Sequence, residues 1–486
     1  MPIVTVEAQT TLTMKDAIEI SLTGSPDLQQ SALNLQRFQN LLNAQKSSLK
    51  SQFRFNVSPL EYLQTRDFDV RLSQWYTNES LSSTGTLSVT QPVVWTGATL
   101  SLNNRFGWKY NRSILSSESE NINKAFSNSL YLNFNQPLFV SNKLKTELKS
   151  IEMDYENAII SYALTRLRIE QRLTQQFYQV YLNQNTLKIR EDELKNAQQN
   201  YDIIKEKVRL DLVPRAELFQ AELNLSTARS DVENGYVNLE SSLDQLKQIL
   251  GLPFNENIRV EADIKDEYVI INPEKAVENA FGSRLELRQR EIQNEMSEFD
   301  LIRIKENGKF KGDVGLSIGI MGDDQYLQDV YSNPTTNPSV MINFSVPIFD
   351  WGARKDRIKA QELKMDMERI DTQQEFVEIE LNIRKTCRSL QNQMTQIEIA
   401  KKSVENAQRT YDLNVEKYRA GEITGMEMNQ FQSQLSSQKS TLSQRMVNYR
   451  IELLNLKILS LYDFEKDEPI SPLLMYSGDV DIDMNN

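Results

Sequence analysis

The chain has 486 residues, with 55 Lys+Arg against 67 Asp+Glu and a net charge of −12, a poor electrostatic match for nucleic-acid phosphates, so no nucleic-acid partner is expected. It holds no histidine and one cysteine, Cys387, which excludes Ser-His-Asp and Cys-His chemistry, His-ligated metals, intrachain disulfides and Cys clusters. No nucleophile–base set or ligand cluster remains, so an enzyme, a cofactor and a metal site are not expected.

The start, 1–11, reads as the remnant of a signal peptide or as an unstructured lead. An amphipathic helix pair follows from Leu12. Two strands are expected at about 84–140: Leu87 to Gln91, continued by Leu100 and Leu102, and Leu130 to Asn135. Lys109 to Lys124 reads as a long polar loop between them. From Ser141 to Leu210 there is no Pro or Gly, which as helix is on the order of 100 Å. The chain breaks at LDLVPRAE and returns as a second helix that GLP ends near Leu250, a helical hairpin over 141–250. Residues 254–272 form an acidic linker with short β-like pieces. A second helix pair opens near Pro273, two strands fall at about 310–349 around a polar loop (Gly322 to Asn337), and a second hairpin runs over 352–461, broken at AGEITG. A tail, 463–486, ends the chain. Cys387 lies in a helical run, which points to an ordinary buried thiol.

The chain repeats itself at a spacing of 210: LNFNQPLF (Leu132 to Phe139) falls on INFSVPIF (Ile342 to Phe349), and AQQNYDIIKEKVR (Ala197 to Arg209) on AQRTYDLNVEKYR (Ala407 to Arg419). Repeat one is therefore 12–253 and repeat two 273–462. The spacing is thirty heptads, so Leu187, Leu194, Tyr201 and Val208 keep register with Ile397, Val404, Tyr411 and Tyr418, the pattern of long helices packed side by side. The fold class read from this is mainly α with a small β part.

No window of about 20 apolar residues is present, so a transmembrane helix is not expected, whereas β-strands give only a weak hydropathy signal. In each strand apolar residues alternate with polar or small ones: Leu130, Leu132 and Phe134 with Tyr131, Asn133 and Asn135; Val340, Ile342 and Phe344 with Met341, Asn343 and Ser345. That fits lipid on one face and water on the other, and Trp95, Phe106, Trp108, Phe139, Phe349 and Trp351 suit an interfacial girdle. Four strands cannot close a barrel, so several chains are needed: eight strands from a dimer, or twelve from a trimer with twelve long helices. A soluble β-layer on a coiled-coil scaffold is the alternative.

The order of QPLF followed by a helix at Ser141, VPIFDWGARKDRI (Val346 to Ile358), LTMKDAIEISLTGSPDL (Leu12 to Leu28) and YRAGEITGME (Tyr418 to Glu427) resembles the TolC-type family of outer-membrane efflux proteins, from about Leu12 to Leu461. The resemblance implies a homotrimer in the outer membrane of a Gram-negative bacterium with a long periplasmic extension. Twelve shared strands would continue into an α/β barrel of antiparallel coiled-coil helices. It also implies a passive channel for small molecules, closed at its periplasmic helix tips and opened by a periplasmic adaptor and an inner-membrane pump. The exit duct of a type I protein secretion system is the alternative within the family. No GxxxxGK[ST] loop is present, so an energy source belongs to a partner. By the same resemblance Val213, Pro214, Gly421 and Thr424 contact the adaptor. Glu217, Glu427 and Tyr418 line the aperture, with Gln430 and Gln220 where a second acid often stands. Ile423 replaces a basic latch residue, which leaves Arg215 or Arg419 as substitutes.

Overall fold

The computed structural model describes residues 10–70, 73–115, 119–262 and 268–470. The expected lead, 1–11, lies outside these up to residue 9, and the tail lies outside them from residue 471. In chain order the elements are β1 (Thr10–Leu12), α1 (Met14–Gly24), α2 (Pro26–Ser48), β2 (Gln52–Asp69), β3 (Gln74–Val93), β4 (Ala98–Leu115), β5 (Ser119–Leu138), α3 (Lys143–Arg209), α4 (Arg215–Leu250) and β6 (Ile258–Val260). The second half holds α5 (Pro273–Ser283), α6 (Leu285–Glu306), β7 (Lys311–Asp324), β8 (Thr335–Thr336), β9 (Ser339–Ser345), α7 (Ala353–Ala420), α8 (Gly425–Ser460), β10 (Tyr462–Asp463) and β11 (Glu468–Pro469). The helices α4 and α8 begin and end 210 residues apart, as the duplication requires.

Two compact units arise, and each takes segments from both repeats: 1–35, 158–290 and 370–486 in one, 36–157 and 291–369 in the other. The first unit is helical, and its core is itself duplicated. Leu173, Phe177, Val180 and Leu246 are fully buried with Ala17 of α1, and Ile383, Cys387, Leu390 and Leu456 occupy the equivalent places with Ala276 of α5. Cys387 thus stands where repeat one has a phenylalanine, and burial pushes its thiol above the ordinary value. The short helices start where the sequence supplies caps: Thr13 and Asp16 form a capping box on α1, and Asn272 accepts from the Glu274 and Lys275 amides on α5. At the end of α4, Gly251 (φ 71°) makes the left-handed turn of a Schellman motif, with the Leu252 amide on the Lys247 carbonyl at 2.9 Å. A Cβ on Gly24 would sit 2.2 Å from the Leu250 carbonyl oxygen, and one on Gly251 2.1 Å from that of Gly24, so α1 and α4 meet backbone to backbone.

The second unit is built on one antiparallel sheet, in the order β2-β3-β4-β5-β7-β9, with the two-residue β8 also on β7. Here the strand count departs from expectation. The segments around Leu87, Leu130, Ile318 and Ile342 are strands, but among the described residues five strands of 14 to 20 residues and the seven-residue β9 form where four were expected, four of them in repeat one. Leu87 and Leu100 belong to two strands joined by a tight turn at 94–97, where Gly97 (φ 76°) takes the left-handed conformation. Of the expected loop Lys109 to Lys124, residues 109–115 and 119–124 continue β4 and β5, paired from Lys109↔Ala125 to Leu115↔Ser119, and 116–118 lie outside the described residues. The segment reads as loop because it gives no period. β2 escapes notice because its alternation, Phe53, Phe55 and Val57, is cut by Pro59, where the register shifts between Ser58 and Glu61.

Candidate functional site

The two helix tips lie in the first unit and share one backbone design. In repeat one Asp211 (φ 52°) turns the chain, and the Leu212 amide donates to the Lys207 carbonyl at 2.9 Å. In repeat two Gly421 (φ 80°) turns it, and the Glu422 amide donates to the Lys417 carbonyl at 2.9 Å. Both are Schellman closures, which satisfy the last carbonyls of α3 and α7. The surface pairs repeat as well: Arg209 binds Glu206, and Arg419 binds Glu416 at 3.0 Å. Arg419, a candidate latch, is engaged within its own helix.

The next helix starts differently in the two tips. Pro214 precedes α4 with no side-chain cap, and Val213 beside it is half-buried. Thr424 caps α8 in a capping box, donating its amide to the Glu427 carboxylate at 2.8 Å and its hydroxyl at 2.9 Å. These bonds, the amide first, hold the Glu427 carboxyl below the usual carboxylate range.

Of the expected aperture residues, Tyr418 is held by residues of the neighbouring helix α3. The half-buried Tyr418 hydroxyl donates to Asn200 of α3, and Lys207 lies over its ring at 5.3 Å. Burial first, and the Glu217 charge second, push the Tyr418 hydroxyl above its ordinary value. Gln220 is tied to Asn224 at 3.1 Å, while Gln430, Gly421 and Pro214 are exposed on the tips. Asn200 and Lys207 are the residues that sequence reasoning missed. One signal was available: Asn200 matches Thr410 across the repeat and Tyr418 matches Val208, so the pair breaks the symmetry at both ends.

The sheet, in the second unit, is two-faced. Phe53, Val89, Leu102, Leu132 and Ile318 form one row across five strands, and Leu100, Phe134, Leu316 and Val340 the next. The adjoining row on the other face is polar across all six strands: Gln52, Thr90, Ser101, Asn133, Ser317 and Ser339, with the Ser317 hydroxyl donating to Asn133 at 2.6 Å. The apolar face is uncovered, with Ile318 at 58% and Ile342 at 56% exposure. Contiguous exposed apolar surface of this kind marks contact with lipid or a partner. From Leu100 to Trp108 along β4 is about 26 Å at strand rise, close to the ~25 Å band of outer-membrane barrels. Trp95, Phe139, Phe349 and Trp351 stand where the sheet passes into the helices, and Phe349 meets Trp351 edge-on at 4.8 Å. Phe106 and Trp108 lie mid-strand at the other limit, Phe106 stacked on Phe126 at 6.4 Å. Beyond them the strands turn polar, as in the Arg112–Glu79 pair at 3.4 Å. Among the described residues there is no helix long and apolar enough to cross a membrane and no metal-binding cluster.

A family model described as outer membrane efflux protein matches residues 100–252 and 310–460. No curated protein matches the chain by sequence. Among solved structures, the Campylobacter jejuni CmeC outer membrane channel is similar with a TM-score of 0.72 at 15% identity, over 97% of this chain and 90% of that one. The outer membrane protein VceC of Vibrio cholerae follows at 0.66 and 12% identity, over 93% and 95%. The Neisseria gonorrhoeae MtrE outer membrane channel in its open state gives 0.66 and 11%, over 93% and 90%.

Proposed function

The chain belongs to the outer membrane efflux protein family, and from that membership we propose that it is the passive exit duct of a tripartite efflux system, carrying small molecules from the periplasm to the exterior. Three copies share one barrel wall in the outer membrane, and their long helices extend into the periplasm. The observation that carries this reading is the sheet itself: apolar rows run across it on one face and polar rows on the other, and among the described residues the apolar side stays exposed. A soluble scaffold would leave that face in water, at roughly 25 cal/mol for each Å².

In this reading the aperture is closed by the tips. Tyr418 ties α7 to α3 through Asn200, and Glu217 from each copy contributes to a carboxylate ring that attracts cations. Val213, Pro214, Gly421 and Thr424 form the surface that a periplasmic adaptor contacts, and an inner-membrane pump supplies the energy. Membrane fractionation with planar-bilayer recording tests the reading. The expected result is extraction from outer membranes by detergent alone and a cation-preferring conductance. Release by an alkaline wash, with no conductance, overturns it.

A further inference from the structure

The sheet contains one hairpin more than a four-stranded contribution needs. β3 and β4 are joined at 94–97 and lie between β2 and β5, paired to both along their lengths. Their residues Leu87, Val89, Leu100 and Leu102 sit in the same apolar rows as those of β5 and β7. A hairpin outside the wall would hold this face in water. From the continuity of these rows we infer that β3–β4 is inserted into the lipid-facing wall, so that each copy contributes six strands and three copies close an eighteen-stranded barrel. The number of copies rests on the function proposed above; the six-strand contribution rests on the pairing.

The free edges fit this closure. Six strands alternating in direction leave β2 and β9 antiparallel, as a ring requires. All seven residues of β9 are exposed, and seven residues of β2, Gln52 to Ser58, precede its bulge. Each edge presents three apolar residues on one face: Phe53, Phe55 and Val57 on β2, Val340, Ile342 and Phe344 on β9. Unpaired in lipid, each backbone group there costs several kcal/mol, so the occupant of the edge is the next copy. With strands about 4.8 Å apart and tilted about 40°, twelve strands enclose a backbone diameter of roughly 24 Å and eighteen roughly 36 Å. The outer mouth is then half again as wide, and bulky solutes cross it unsieved. Selection by size falls to the helix tips.

Cysteine pairs test this in native membranes. The only natural thiol, Cys387, is buried. Arg54→Cys or Asn56→Cys on β2, each combined with Met341→Cys or Asn343→Cys on β9, samples the register between copies. At least one combination is expected to give covalent trimers on oxidation. Ser101→Cys or Asn103→Cys on β4 with the same β9 partners is expected to give none. Linkage from β4 in place of β2 would put β2 and β3 outside the wall and overturn the inference. So would trimers by sedimentation with no β2–β9 linkage. A monomer by sedimentation would overturn the proposed duct as well, which separates the two failures. End-on electron microscopy of the unmodified protein gives a second readout: a β-ring about 1.5-fold wider than twelve strands allow is expected, and a twelve-stranded ring overturns it.

Discussion

The Thr424 amide donates to the Glu427 carboxylate at 2.8 Å, and the Glu427 amide returns a bond to the Thr424 hydroxyl at 3.3 Å. The equivalent pair 210 residues earlier, Pro214 and Glu217, makes no such box, because proline has neither a hydroxyl nor an amide hydrogen. The box makes the start of α8 sensitive to acid. The folded carboxyl of Glu427 titrates below its ordinary value of 4.5, so its contribution is complete above that value and is lost as pH falls through the folded one. Amide exchange at the start of α8, corrected for intrinsic rate, is expected to accelerate as pH falls below the ordinary carboxylate value in the native chain but not in Glu427→Gln. Acid acceleration that persists in the variant would locate the titrating group elsewhere.

Tyr418 and Asn200 form a single cross-helix link, and its loss has a defined size. A hydrogen bond is worth about 1 kcal/mol net, so if the tips close the duct as proposed, Tyr418→Phe is expected to shift them toward open by roughly five-fold, read as open probability in planar bilayers. Asn200→Ala should do the same, and the double variant no more than either alone. Additive effects would mean that the two residues act separately.

Glu217 and Glu427 are equivalent in sequence but not in surroundings. Glu427 is bound into its own helix start, where the helix dipole already favours an acid, while Glu217 acts on Tyr418. Glu217→Gln is therefore expected to raise conductance and lower cation preference, and Glu427→Gln to change both less. Unchanged conductance and selectivity in both variants would remove these residues from the aperture.

The helical parts were legible because their signals are long. Seventy residues without Pro or Gly, and apolar positions held in register over 210, leave few alternatives to paired helices. The strands were legible only where lipid is expected on one side. Leu130 to Asn135 alternates because one face is apolar; Lys109 to Lys124 gives no period, although residues 109–115 and 119–124 continue β4 and β5. β2 had three alternating residues before Pro59, too few to separate from loop. At the tips the turns could be read from Pro214 and Gly421. The Tyr418–Asn200 link could not, since it joins positions 218 residues apart through side chains alone.

The meeting of α1 and α4 depends on two glycines. A methyl on Gly24 would overlap the Leu250 carbonyl oxygen at 2.2 Å, and that oxygen belongs to backbone, which cannot swing aside. Gly24→Ala is expected to destabilise the first unit by at least the 1–3 kcal/mol typical of overpacking, seen as a thermal midpoint lowered by several degrees. An unchanged midpoint would mean that the helix ends separate at little cost. Gly282, with open space around its Cβ position, is the control: Gly282→Ala should be neutral or slightly stabilising.

The assignment of the two sheet faces is tested by neighbouring residues on one strand. Leu132 lies between Leu102 and Ile318 in an apolar row, and Asn133 lies between Ser101 and Ser317 in a polar one. If the first row meets lipid, Leu132→Arg places a charge near mid-membrane at a cost of about 2–4 kcal/mol, while Asn133→Arg faces the aqueous lumen and costs far less. The measurement is the fraction of chain recovered from outer membranes as assembled oligomer. Leu132→Arg is expected to lower it by ten-fold or more, and Asn133→Arg to leave it near the native level while shifting ion selectivity toward anions. The reverse pattern would exchange the faces. Equal tolerance at both positions would mean that neither row meets lipid, and the strands would then have to lie outside the membrane.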